Sequence, residues 1–211
     1  MARGIKSTLI VLLILSGITA CQEEATPANK VTISPTPTTT TNQAEVTFPN
    51  GLDKSPMDMS YYPVDYPKLK MSGHVREPLI ARVIYSRPQK NGRLIFGDVL
   101  KYGAIWRLGA NEATEIEFFK DVTIRNKTVS KGRYVLYCIP FEDRWKLVFN
   151  NDLYTWGLKI DSTKDVYSFE MPVAKTSYPF EVFTMEFEKA DKGMHLVLEW
   201  DSIRATLPIL Y

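Results

Sequence analysis

The chain has 211 residues, with 26 Lys+Arg against 24 Asp+Glu, two His and two Cys, and 45% of its residues hydrophobic. This is ordinary globular material for one domain or two small ones, and the near-balanced charge argues against a nucleic-acid partner, which needs a basic surplus on one face. Two cysteines exclude a disulfide scaffold and multi-cysteine zinc or iron–sulfur motifs, and His74 and His195 are too far apart in sequence to suggest a metal site, so no metal or cofactor is expected.

Residues 1–20 read as an export signal. Arg3 and Lys6 make a cationic start, Leu9 to Leu15 an apolar run, and Ser16 to Ala20 a short stretch of mostly small residues before Cys21. The apolar run is far short of the roughly 20 residues a membrane-spanning helix needs. Ile18-Thr19-Ala20-Cys21 resembles the lipobox of bacterial lipoprotein signals. That resemblance implies diacylglyceryl transfer to the Cys21 sulfur, cleavage before it, and acylation of the new amine with a chain such as palmitate. Several acyl chains buried at about 0.8 kcal/mol per methylene make a stable anchor. Position 22 is Gln and not the Asp that resembles an inner-membrane retention signal, so an outer-membrane, lipid-anchored place in the cell envelope is expected. Glu23-Glu24 looks like the acidic tag of some surface-exposed lipoproteins, and the face of the membrane stays open. Cleavage would remove two cations and no acid, so the 26 basic residues fall to 24 and balance the 24 acidic ones.

Residues 21–54 hold Cys21 and a tether. Ser34-Pro35-Thr36-Pro37-Thr38-Thr39-Thr40-Thr41 has no aromatic residue and little to build a core, so the segment is expected to be disordered. Residues 55–211 form the folded domain. Short runs rich in Val, Ile, Phe, Tyr and Thr, separated by turn residues, predict strands at Leu79–Ser86, Glu115–Phe119, Val122–Arg125, Arg133–Ile139 and Arg144–Phe149. Further strands are predicted at Val166–Met171, Glu181–Glu188, Met194–Trp200 and Ser202–Ile209. Trp145, Leu147 and Phe149 share one face against Arg144 and Lys146, and Phe183, Met185 and Phe187 oppose Thr184, Glu186 and Glu188. That period of two means antiparallel sheet. Arg133–Ile139 is apolar on nearly both faces and reads as a central strand; Cys138 within it reads as a small core hydrophobe. The expected fold is a mainly β, single-domain antiparallel sandwich or jelly roll.

The text from Tyr85-Ser86-Arg87-Pro88 through Asn91-Gly92-Arg93-Leu94-Ile95-Phe96-Gly97 and Tyr102–Thr114 resembles the domain-of-unknown-function family twenty-nine-eleven. Ser55-Pro56-Met57-Asp58-Met59, Lys131-Gly132-Arg133-Tyr134, Ile139-Pro140, Trp156-Gly157 and Asp165-Val166 extend the likeness to about Ser55–Ile209. One departure is Arg125-Asn126-Lys127, where a glycine-containing turn is expected. The resemblance implies a secreted or lipid-anchored protein of Gram-negative bacteria. Some relatives carry an asparagine-synthetase label, which this chain does not support: it has no early nucleophilic Cys and no nucleotide-binding loop. The family name implies no activity.

Trp106–Thr114 is the best candidate site. It joins the indole of Trp106, the guanidinium of Arg107, the amide of Asn111, the carboxylate of Glu112 and the hydroxyl of Thr114, with Gly109 free to take a positive φ. Polar groups beside an aromatic plate suit a sugar or peptide. Arg87 and Arg93 add guanidiniums able to clamp an anion. In the competing expectation Arg107 and Glu112 pair with each other, or with Arg87 and Asp98, while Trp106 and Trp145 are core. The function expected is a membrane-anchored binding module for a glycan, peptide or partner protein. The alternatives are an envelope hydrolase using Glu112 with Asp98, the only pair available for two-carboxylate chemistry, and a purely structural lipoprotein.

Overall fold

The structure, a computed structural model, describes residues 53–211; the expected export signal, Cys21 and nearly all of the expected tether lie outside the described residues. Nine strands, one short α-helix and one 3₁₀ turn follow in order: β1 Met57–Tyr62, α1 Tyr66–Met71, β2 Ala81–Ser86, β3 Thr114–Phe118, β4 Val122–Ile124, β5 Lys127–Val129, β6 Gly132–Pro140, β7 Arg144–Asn150, the 3₁₀ turn Ser162–Lys164, β8 Asp165–Lys189 and β9 Met194–Ile209. The domain is mainly β and antiparallel, as its alternation predicts. Seven strands form one sheet in the order β1-β2-β3-β6-β7-β8-β9, and β4-β5 is a separate hairpin.

That sheet bends until it nearly closes as a barrel, and β8 makes the bend. Its first part, Asp165 to Pro172, pairs with β7, whereas Val173–Lys175 and Thr184–Lys189 pair with β9. Register shifts between Lys175 and Thr184 interrupt the pairing with β9. On its other side β8 meets the far end of the sheet. Phe183 N–H donates to the Pro88 carbonyl at 2.9 Å, and Phe187 N–H donates to Ser60 Oγ at 3.1 Å. Arg87 ties the same corner, donating to Asp58 Oδ2 (3.0 Å), the Phe183 carbonyl (3.3 Å) and Thr184 Oγ1 (2.9 Å). Across the other opening Thr123 and Leu210 exchange backbone hydrogen bonds of 2.8 and 2.9 Å.

β6 stands at the centre of the strand order, and Tyr134 through Cys138 are all buried, in keeping with its two apolar faces. Cys138 is a free thiol in the core, and burial pushes its pKa well above the ordinary value. The interior is aromatic: Trp145, Phe149, Phe118 and Phe183 are each buried, and Phe118 stacks on Phe149 with centroids 6.3 Å apart.

Several expectations change, among them the predicted break at Asp201, which lies within the continuous β9. β1 was unexpected, because Met57-Asp58-Met59-Ser60-Tyr61-Tyr62 has no β-branched residue; it is an edge strand with only Tyr62 buried. The predicted break inside Val166–Glu188 is a continuous strand: Pro179 falls in its irregular stretch, where no ladder donor is needed, and Pro172 closes the regular ladder with β7 opposite Arg144. Arg125 and Asn126 make the β4-β5 turn without glycine, at φ 45° and 65°, the mirror-image turn whose twist suits a two-residue hairpin.

The turn before β9 offers a sharp check. A Cβ on Gly193 (φ 81°) would lie 2.1 Å from the Ile209 carbonyl oxygen, whereas one on Gly73 (φ 71°) meets nothing within 4 Å. Gly193→Ala is expected to cost about 3 kcal/mol or more and Gly73→Ala about 1 kcal/mol, read by urea denaturation. Equal losses would contradict this turn geometry.

Candidate functional site

The connection from β2 to β3 carries most of the candidate residues, and neighbouring strands pin it at several points. Glu181 accepts Lys90 N–H on its carbonyl and Asn91 N–H on its side chain, both at 2.7 Å. Asp201, at φ 50° in β9, accepts Ile95 N–H at 3.3 Å and pairs with Lys90 Nζ at 3.3 Å. Trp106 then exchanges two backbone hydrogen bonds of 2.7 Å with Cys138 in β6. Left-handed residues at Leu108 (φ 57°) and Asn111 (φ 60°) turn the chain back toward β3. Gly109 between them is required for close approach, since a Cβ there would sit 3.0 Å from the Ser86 carbonyl.

Beside this connection lies a cleft of about 370 Å³, lined among others by Asp53, Arg93, Val99, Ile105, Trp106, Arg107, Leu158 and Trp200. Arg107 is its distinctive member. It is partly buried, makes no hydrogen bond or ion pair with any described residue, and its Nη1 is buried without a partner. Desolvation lowers the guanidinium's pKa from its ordinary value, and the carboxylates of Asp53 and Glu112 oppose this through space without bonding to it. Unpaired charge at such a place is costly, and native proteins mostly satisfy buried polar groups. Trp200, only 3% exposed, also has an indole N–H without a partner. Gly157 allows the loop after β7 to pack here, because a Cβ on it would lie 3.2 Å from Arg107 Cβ and 3.1 Å from Ala113 Cβ.

The predicted residues divide into separate places. Arg93 and Arg107 line the same cleft. Arg93 donates from Nε to the Lys90 carbonyl (2.9 Å) and from Nη2 to the Gln89 carbonyl (2.5 Å), which fixes its orientation. Trp106 also lines it but is 6% exposed; its ring stacks on Trp200 (5.6 Å) and meets Trp145 edge-on (5.7 Å), so it is a core wall and not an open plate. Arg87 is the corner strut described above. Thr114 is fully buried and donates to the Leu108 carbonyl at 2.5 Å, closing the loop. Asn111 clamps the segment before β1: its Oδ1 accepts Asp53 N–H and its Nδ2 donates to the Asp53 carbonyl, both at 2.7 Å. Glu112 is exposed in a different cleft, with Tyr154 and Trp156. Asp98 pairs with Lys101 at 3.4 Å on the surface. Glu112 and Asp98 line no common cleft, and neither pairs with Arg107. Cys21 lies outside the described residues.

Sequence reasoning missed Asp53, which sits in the expected tether, and Trp200, which reads as an ordinary strand residue. The Trp156-Gly157 dipeptide was the one visible signal for the loop that packs on Arg107.

A family model described as "Protein of unknown function (DUF2911)" matches residues 67–209. The chain belongs to that family. The DUF2911 match spans β2 to β9 and the whole cleft-bearing connection, while β1 and Ser55–Met59 lie before it. Among curated proteins and among solved structures no match to the chain was found.

If Arg107 serves a ligand and not the fold, removing its charge should help stability. Arg107→Met keeps the apolar stem and discards the unpaired guanidinium. It is expected to gain about 1 kcal/mol, or roughly 2–4 °C in Tm, by thermal denaturation. A lower Tm would assign Arg107 to the scaffold.

Proposed function

We propose that this DUF2911 protein is a lipid-anchored envelope protein whose β domain binds a ligand in the cleft at Arg107. One observation carries the reading: a desolvated guanidinium with no described partner, held beside a cleft of about 370 Å³. A fold that only needed pinning has better-paired arginines for the purpose. Arg87 makes three hydrogen bonds, and Arg204 pairs with Glu188 at 2.7 Å and with Glu199 at 2.5 Å. An arginine left unpaired is instead available to an acceptor group from outside. The envelope part of the reading rests on the lipobox-like Ile18-Thr19-Ala20-Cys21 and the Thr/Pro-rich tether, which together would hold the domain near a membrane by lipid and not by charge.

The candidate ligands are peptides and envelope proteins, whose acceptor groups an unpaired guanidinium can bind; glycans, expected from an aromatic plate that is core, serve as the contrasting class. Wild-type protein is expected to capture a partner from peptide arrays or a detergent extract of envelopes in preference to glycan arrays, and Arg107→Gln is expected to lose at least ten-fold in retention. Capture that survives this substitution would move the binding site elsewhere. The anchor has its own test. Cys21→Ser is expected to abolish incorporation of labelled palmitate and to shift the chain from the membrane pellet to the soluble fraction; an unchanged pellet would remove the lipid anchor.

A further inference from the structure

The residues around Arg107 also restrict what the cleft can hold. Two cations line it, Arg107 and Arg93, and neither bonds a carboxylate among the described residues. Arg93 is aimed by two carbonyl acceptors, so its guanidinium is held in place before any ligand arrives. The walls are apolar, however. Val99, Ile105 and Leu158 are 42%, 53% and 72% exposed, an unusual expanse of aliphatic surface for a polar ligand to cross. A sugar would need an open aromatic face, and the two indoles on this cleft are buried and stacked on each other. What fits is one anionic acceptor on an apolar body.

Asp53 already supplies such an acceptor. Its residue lines the cleft, and its carboxylate acts on Arg107 through space. It does not bond the guanidinium; Oδ1 instead accepts Ser55 N–H at 2.8 Å. The segment is held there by the reciprocal 2.7 Å clamp to the Asn111 side chain.

We propose that the cleft takes a carboxylate with an apolar body, a fatty acid or the free C-terminus of an apolar peptide, and that this ligand takes the place of Asp53 beside Arg107. The proposal rests on the reading of the cleft as a binding site and names its ligand class. Binding brings a carboxylate against Arg107, with Arg93 as second donor, while the hydrocarbon covers Val99, Ile105 and Leu158. Two carboxylates beside one guanidinium repel each other, so Asp53 moves away and strains the Asn111 clamp. Ligand occupancy is thereby coupled to release of the segment that leads back to the tether.

The test uses the full-length chain in detergent, with indole fluorescence as the binding signal and hydrogen exchange of the Asp53 amide as the clamp signal. The probes are octanoate against octanamide, and N-acetyl-leucyl-leucine as free acid against its amide. At least one acid is expected to bind ten-fold or more tighter than its amide, and to speed Asp53 amide exchange. Octanoate alone would point to a lipid source, the dipeptide acid alone to a peptide C-terminus; either supports the proposal. Arg107→Gln should weaken the acids at least ten-fold, Arg107→Lys should restore part of that loss, and Asp53→Asn should tighten them several-fold. Amides binding as well as acids, or acids indifferent to Arg107→Gln, would overturn the carboxylate class. Array capture that depends on Arg107 would then still leave the cleft a binding site. Failure of both acids to bind wild type and Asp53→Asn would overturn the proposal outright.

Discussion

Trp106 is the point on which the arrangement turns. Its backbone completes two short hydrogen bonds with Cys138 in the central strand, and its ring meets Trp200 of β9, Trp145 of β7, Phe183 of β8 and Phe96 of its own connection. One residue thus joins the long β2–β3 connection to strands from both halves of the bent sheet. Buried aromatic contacts of this kind each add about 0.5–1.5 kcal/mol beyond the area they cover. Because Trp106 is held from both backbone and ring, its neighbour Arg107 has little freedom to seek a partner on the surface. The guanidinium stays where the fold puts it, at the cleft, and its lost hydration is offset by the packing of the indole beside it.

The strands were legible where side chains alternate. Trp145, Leu147 and Phe149, and again Phe183, Met185 and Phe187, are buried as their spacing requires. Closure of the sheet was not legible, because it depends on irregular stretches of β8 that local propensity reads as breaks. The candidate loop Trp106–Thr114 carries residues of both kinds weighed for it, cleft-lining and structural. Trp106, weighed both as a ligand platform and as a core aromatic, is core, while Arg87, Asn111 and Thr114 hold elements together. Left-handed backbone at Leu108 and Asn111 decides which way each side chain faces, and neither residue announces that conformation as a glycine would. Arg107, expected to pair with Glu112 or Asp98 if structural, pairs with neither.

The family match leaves the chemistry open, so the functional reading has to come from energetics. The other half-buried arginines of the described residues are all ion-paired: Arg82 with Glu117, Arg87 with Asp58, Arg133 with Glu115, Arg144 with Glu170 and Arg204 with Glu188. Against that background Arg107 is an exception to local stability. Exceptions of this sort are where a fold carries a cost for something other than itself.

The bond from Phe187 N–H to Ser60 Oγ joins residues 127 positions apart. A ribosome must therefore finish nearly the whole polypeptide before the first strand can find its last neighbour. Contacts this distant slow folding, since a long loop has to close before any of them forms. Until then β1 lacks its contact with β8, and the Arg87 corner lacks its partners on that strand. A chain that stays unclosed until its end is synthesised is also one that can be threaded, unfolded, through a narrow channel before it takes its final shape.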